Sequence, residues 1–309
     1  MYRPRFFTAL RFVQNDNNTY ADFRYQVLAN LAQLRASLGE PTMTRPVITL
    51  LTDFGLRDHF VGTMKGVILG ICPDAVMVDI THDLSSLAVS EAAFLLGCSY
   101  SYFPPGTVHL AVVDPGVGGE RKPLAARCGE HLLVGPDNGI MTYVFGDCPD
   151  YQAFVIENPR CRLSEVSATF HGRDVFAPAA AHLAAGMALQ EMGPPLAQPV
   201  LLTLPAPRET EHGLEAHVVH VDRFGNLITD LKRQELDRWL GGETFDRVTI
   251  EAGQRHLHGI RSSYESVAEG RPLALIGSAG RLEIAVNRGS ASDRLALGHG
   301  DTILLQKGA

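Results

Sequence analysis

Between Pro46 and Gly186 short β-rich runs alternate with stretches of helical periodicity, and few architectures accommodate that alternation. Val47-Ile48-Thr49-Leu50-Leu51 reads as a strand that stops at Thr52-Asp53-Phe54-Gly55. A helix fits 58–71, with Val61, Met64, Val67, Ile68 and Ile71 on one face and Pro73 beyond its end. Val76–Ile80 is a second strand, 87–102 an alanine- and leucine-rich helix, and Val108–Val113 a third strand, apolar enough to be covered on both faces. Leu132-Leu133-Val134 starts another, closed by the turn Pro136-Asp137-Asn138-Gly139, and an alanine-rich helix follows near 174–186. The expectation is an α/β unit, a mostly parallel sheet flanked by helices.

The pattern then changes. Pro194, Pro195, Pro199, Pro205 and Pro207 crowd one passage, which suits an extended linker. Beyond it Ala216–Val221, Leu227–Leu231, Val248–Glu251, Leu273–Ile276, Leu282–Val286 and Ile303–Leu305 are short strands between glycine turns. They predict a smaller C-terminal antiparallel β domain, barrel-like in form. The expected division is 1–45 as a leader or poorly defined extension, 46–192 as the α/β domain, 193–208 as the proline-rich linker and 209–309 as the β domain. Residues 20–38 fit a short amphipathic helix, and Met43 is a candidate start of the folded unit.

Composition excludes several classes. With 45% hydrophobic and 20% charged residues among 309, the chain is that of a folded protein. A net charge of −7 with no basic stripe argues against a nucleic-acid partner. No apolar run reaches the roughly 20 residues that cross a bilayer. Cys72, Cys98, Cys128, Cys148 and Cys161 are odd in number and contain no CxxC pair, which reads as reduced thiols in a cytoplasmic protein rather than a zinc site.

Acidic and glycine-rich residues fall where an open parallel sheet places its ligands, beyond the carboxyl ends of the strands. Asp53, the segment Asp79-Ile80-Thr81-His82-Asp83, and Asp114 each end or follow a predicted strand. An ionised Asp53 could hold both hydroxyls of a ribose; equally it could cap the helix that follows, as could Asp58, for which the alternative is a ligand ammonium. Asp114-Pro115-Gly116-Val117-Gly118-Gly119-Glu120-Arg121 carries a carboxylate, a tight glycine loop and a guanidinium, and matches neither the Walker nor the dinucleotide pattern. His171, in Phe170-His171-Gly172-Arg173-Asp174, sits on the loop entering a helix; beside an Asp and an Arg it could orient a water, and otherwise it is structural. Phe224 and Asn226, in Asp222-Arg223-Phe224-Gly225-Asn226, offer a stacking ring and an amide suited to an adenine edge, or simply a hairpin turn. Ser278 and Glu283 could hold the two ends of an amino acid, or belong to an ordinary β-turn and strand.

Taken in order, Thr52–Gly55, Asp114–Gly118, Pro136–Gly139, Phe170–Asp174, Asp222–Asn226 and the Ser278–Asn287 run resemble the S-adenosylmethionine (SAM) hydrolases, also called SAM hydroxide adenosyltransferases, relatives of the SAM-dependent fluorinase and chlorinase. The resemblance spans about 45–309 and implies hydrolysis of SAM to adenosine and L-methionine, without metal or other cofactor. It implies Asp53 on the ribose, Asn226 and the backbone at Val286 on adenine with Phe224 against the ring, and Ser278, Glu283 and Asp58 on the methionine portion. Asp114, Arg121 and His171 match the family's water-activating triad, and a homotrimer with sites between subunits is expected on the same ground. Halogenating relatives lack the full triad. The competing expectations are a SAM-dependent halogenase, a SAM or adenosine sensor without turnover, and a metal-dependent phosphoesterase built on Asp53, Asp58, His59, His82, Asp83 and Asp114.

Overall fold

The computed structural model describes residues 45–308; the expected helix at 20–38 and the start at Met43 lie outside them. The first sheet runs β1 (Val47–Thr52), β2 (Val76–Thr81), β3 (Val108–Val112), β4 (Pro123–Cys128), β5 (His131–Pro136) and β6 (Gln152–Val155) in the order β2-β1-β3-β5-β4-β6. The first four positions pair in parallel, whereas β4 pairs antiparallel with both β5 and β6. β4 and β6 have no counterpart among the sequence expectations. One opens on a proline and is rich in alanine, the other has four residues, so neither shows the β-branched run that marks its neighbours.

Side-chain alternation along the strands feeds two cores. Ile48, Leu50, Val108, Leu110 and Val112 face helices α1 (Phe60–Ile71) and α4 (Ala177–Ala184). Leu51, Ala111, Val113 and Leu133 face α2 (Val89–Ser99) and α3 (Thr142–Asp147). Each fully buried aliphatic side chain here stabilises the layer by roughly 1.5–3 kcal/mol. The expected helix at 58–71 begins at Phe60, and the one at 87–102 ends at Ser99, where a single 3₁₀ turn continues it to Tyr102. The helix near 174–186 is entered through a π-helical turn, Gly172–Phe176.

The proline-rich passage is stitched to the first sheet. Val200 N–H donates to Asp137 (2.8 Å), Leu202 N–H donates to Thr142 Oγ1 (2.9 Å), and Pro195 bridges Phe154. After it come β7 (Arg208–Thr210), β8 (Gly213–Val221), β9 (Leu227–Lys232), α5 (Arg233–Leu240), β10 (Val248–Ala252), β11 (Arg255–His258), β12 (Ile260–Arg261), β13 (Pro272–Ile276), β14 (Arg281–Val286), α6 (Ala291–Leu295) and β15 (Thr302–Lys307). The second sheet is ordered β11-β10-β15-β8-β9-β14-β13-β12, with β7 attached to β8. Every pair is antiparallel except β12–β13, and β11 lies beside β13, so the sheet curls into a nearly closed barrel. Phe94 of α2 meets Val219 of β8 and Ile228 of β9 at the seam between the sheets, with His220 stacked on the Phe94 ring at 5.2 Å.

Candidate active site

Strand adjacency explains how the acidic rim arises. β1 and β3 are parallel neighbours with Thr52 opposite Val112, so Asp53 and Asp114 leave the same edge of the sheet. Asp53 accepts a hydrogen bond from Leu87 N–H at Oδ2 (2.9 Å). Asn138, in the turn after β5, donates to Val113 O (2.8 Å) and fixes the exit of β3 just before Asp114.

Arg121 returns over the glycine loop and grips Asp114: Nε donates to Oδ1 (2.9 Å) and Oδ2 (3.1 Å), and a terminal nitrogen donates to Oδ2 as well. That terminal nitrogen also lies 2.7 Å from Nδ1 of His171. The Arg121 and Asp114 side chains are only 10% and 6% exposed, so the pair is screened from water. Gly118 makes the loop possible. It has φ +75°, and a Cβ there would stand 2.4 Å from Ala168 O, on the segment that leads to His171. The glycine thus lets the Asp114–Arg121 loop close onto the His171 loop.

Buried Asp174, three residues on, acts on His171 through its charge. Ser167 N–H donates to its Oδ2 (2.8 Å) and Arg173 Nε to its Oδ1 (2.5 Å). Burial alone would raise the Asp174 carboxyl; these donors outweigh it and keep the group below the usual carboxylate range. A guanidinium has donors only, so His171 Nδ1 must be the acceptor, and the neutral ring carries its proton on Nε2. Burial, and then the Arg121 cation, push the His171 pKa below its ordinary 6.5. Asp114 and His171 line one open cleft, together with Val117, Phe54, Phe60 and Phe170. The three phenylalanines pack edge to face or tilted, with centroids 5.1–6.0 Å apart.

The remaining sequence-derived residues lie elsewhere. Asp58 is exposed on the approach to α1. Phe224 is 75% exposed, its ring projecting from the turn between β8 and β9. Buried Asn226 donates from Nδ2 to Asp222 (2.9 Å), whose other oxygen accepts Phe224 N–H (2.8 Å) and Asn226 N–H (2.9 Å). Ser278 sits exposed on the β13–β14 turn, and Val286 ends β14 with its carbonyl accepting from Gly289 N–H (3.0 Å). Glu283 is buried in β14. Its pKa is raised, first by burial and also by nearby Asp222, against a 2.7 Å hydrogen bond donated by Tyr264. Gly277 admits this carboxylate, since a Cβ there would meet Glu283 Oε2 at 2.2 Å.

The structure therefore gathers Asp114, Arg121 and His171 into one hydrogen-bonded group. Among the described residues, no hydrogen bond, ring contact or cleft joins them to Asn226, Ser278 or Glu283. Tyr264 and the Phe54–Phe60–Phe170 wall were not singled out by sequence. Tyr264 and Phe60 lie in no motif, and Phe54 and Phe170 lie in motifs that gave their rings no role. The proposed phosphoesterase set does not converge: among the described residues no three His, Cys, Asp or Glu side chains come together as metal ligands would. No helix among them is long and apolar enough to cross a membrane.

Residues 48–193 match the family model of the SAM hydroxide adenosyltransferase N-terminal domain, and 216–304 match that of its C-terminal domain. The (R)-S-adenosyl-L-methionine hydrolase of Thermus thermophilus is 42% identical over 268 residues, 84% of this chain and 99% of that protein. A more distant relative, the fluorinase of Nocardia brasiliensis, is 27% identical over 80% of this chain and 92% of its own. A crystal structure of an uncharacterized conserved protein from Thermotoga maritima shares the fold with a TM-score of 0.79 at 36% identity, covering 84% of this chain and 100% of that one.

Proposed function

Because the chain belongs to the SAM hydroxide adenosyltransferase family, we propose that it hydrolyses S-adenosyl-L-methionine to adenosine and L-methionine. The observation that carries the reading is the Asp114–Arg121–His171 group at the wall of an aromatic-lined cleft. Displacement at ribose C5′ needs no acid for the leaving group, because the sulfonium departs as a neutral thioether. The site has to supply an oriented nucleophile and exclude competing water.

The donor and acceptor pattern suggests how. Arg121 occupies Asp114 from one side and leaves a lone pair on Oδ1 for a water hydrogen. His171 Nε2–H donates to one lone pair of the same water, and its second lone pair faces C5′. As the oxygen–carbon bond forms, the carbon–sulfur pair goes to sulfur and the water proton goes to Asp114, from which it passes to solvent. Arg121 stays protonated throughout and offsets the carboxylate charge. Asp53 binds the ribose hydroxyls with the oxygen not held by Leu87. Asn226 and the Val286 backbone read adenine, Phe224 stacks on it, and Ser278, Glu283 and Asp58 hold the amino-acid end. An arriving ammonium favours the ionised form of Glu283, which burial alone disfavours. No cofactor takes part in these steps.

We also propose a homotrimer, each site being closed by the second sheet of a neighbouring subunit. Support comes from the cleft at Asp114 and His171, whose lining among the described residues includes none of Phe224, Asn226, Ser278, Glu283 or Val286, and from the exposed Phe224 ring. Incubation of the purified protein with SAM in chloride-rich buffer, followed by chromatography, tests the activity. Adenosine and methionine in equal amounts are expected. A 5′-halo-nucleoside would replace the reading with halogenation, and tight binding without product would replace it with sensing.

A further inference from the structure

The turn carrying Asp53 is held by a residue that the reaction itself does not use. His82 follows β2 and is 4% exposed. Its Nδ1 lies 2.8 Å from Thr52 Oγ1, and its Nε2 lies 3.1 Å from Asp79 Oδ1, off the line of an ideal hydrogen bond. Asp79 is in turn paired with Lys65 at 2.7 Å. Thr52 Oγ1 accepts Phe54 N–H (3.3 Å), and the carbonyl of His82 accepts Gly55 N–H (2.8 Å).

Donor and acceptor capacity gives this chain a direction. A carboxylate can only accept, so the imidazole proton belongs on Nε2, facing Asp79. Nδ1 then accepts from the Thr52 hydroxyl, and the hydroxyl oxygen accepts from Phe54 N–H. His82 therefore grips the Thr52–Gly55 turn twice, by side chain and by main chain, on both sides of Asp53. The same turn sets Phe54, which lines the cleft shared by Asp114 and His171.

We propose that His82, acting through Thr52 and anchored on Asp79, is a positioning residue that presents the Asp53 carboxylate to the ribose of the nucleoside. The inference rests on the ribose-binding reading of Asp53. A core histidine that merely filled space would need neither Thr52 nor a carboxylate behind it; this one is hydrogen-bonded to the polar edge of the sheet at two points, Thr52 Oγ1 and Gly55 N–H, with the Asp79 carboxylate 3.1 Å from its Nε2.

Calorimetric binding of adenosine to the full chain tests it, because that measurement does not depend on turnover. Thr52→Val keeps the volume and removes the relay; His82→Ala removes it from the other side. Each is expected to weaken adenosine binding about tenfold, the effect of one ordinary hydrogen bond, and to change kcat less than about threefold. In an Asp53→Ala background each is expected to add less than about twofold, since the group being positioned is gone. His82→Asn, whose amide oxygen can accept from Thr52, is expected to recover most of the affinity. If His82→Ala does not fold, Thr52→Val alone carries the cycle. Additive losses in the Asp53→Ala background, or a collapse of kcat with affinity intact, would overturn the proposal while leaving the ribose reading standing. Absence of adenosine binding by the unmodified protein would remove both.

Discussion

Replacing His171 by glutamine and by alanine distinguishes a hydrogen-bond donor from a base. With Nδ1 turned to Arg121 at 2.7 Å, the neutral ring has a proton, not a lone pair, on Nε2. A donor aimed at a developing hydroxide contributes about 1.5–3 kcal/mol, or roughly 10–150-fold in rate. Loss of a general base costs about 10²–10⁴-fold, so the alanine variant alone separates the two only at the extremes. Glutamine places an amide N–H near the position of Nε2 and cannot take up a proton. Its expected rate is therefore within about tenfold of the unmodified enzyme, whereas alanine loses roughly 10–150-fold. The pH profile supplies an independent check. Burial and Arg121 hold the His171 pKa below 6.5, so the neutral donor form predominates at pH 7 and is lost as pH falls through that lowered value. Protonation at Nδ1 would set an N–H against the Arg121 N–H and break the contact. Single-turnover rates of adenosine formation should fall as His171 protonates in the unmodified enzyme, and His171→Gln should lose that titration while keeping whatever acid dependence the Asp114 carboxylate imposes. A glutamine variant as slow as alanine, or one whose pH profile is identical to that of the unmodified enzyme, would refute the argument.

Two other expectations follow from the same geometry. Gly118→Ala forces a left-handed residue and a Cβ 2.4 Å from Ala168 O; a loss of about 2–4 kcal/mol in urea unfolding is expected, with kcat reduced and adenosine affinity unchanged. Buried His109, bonded to Thr49 (2.9 Å) and beside His131, has its pKa depressed to about 3 by burial and by its neighbour. Its depressed value makes stability fully present above 6.5 and progressively lost as pH falls towards 3, by an amount on the order of a few kcal/mol, and Tm measured against pH should show that decline.

Much of this protein could be read along the chain. The β1, β2, β3 and β5 runs, the helices between them and the helix-poor second half each carry a local signal: alternation, 3.6-residue periodicity, or glycine and proline punctuation. So did the residues of the candidate triad, because Asp114, Arg121 and His171 fall in short ordered motifs. β4, β6 and α3 were not legible, being short or alanine-rich elements whose formation depends on the sheet edge and core that receive them.

Sequence alone also set the types and spacing of the groups available for chemistry, since those are properties of the polymer. The orientation of those groups was decided by tertiary structure. The proton on His171, the Tyr264–Glu283 contact and the hold of His82 on Thr52 depend on hydrogen bonds between residues 50, 19 and 30 positions apart. Such bonds form only once strand order has made distant segments neighbours. No periodicity encodes that order, because it is fixed by how whole faces pack and how crossovers run rather than by any local window.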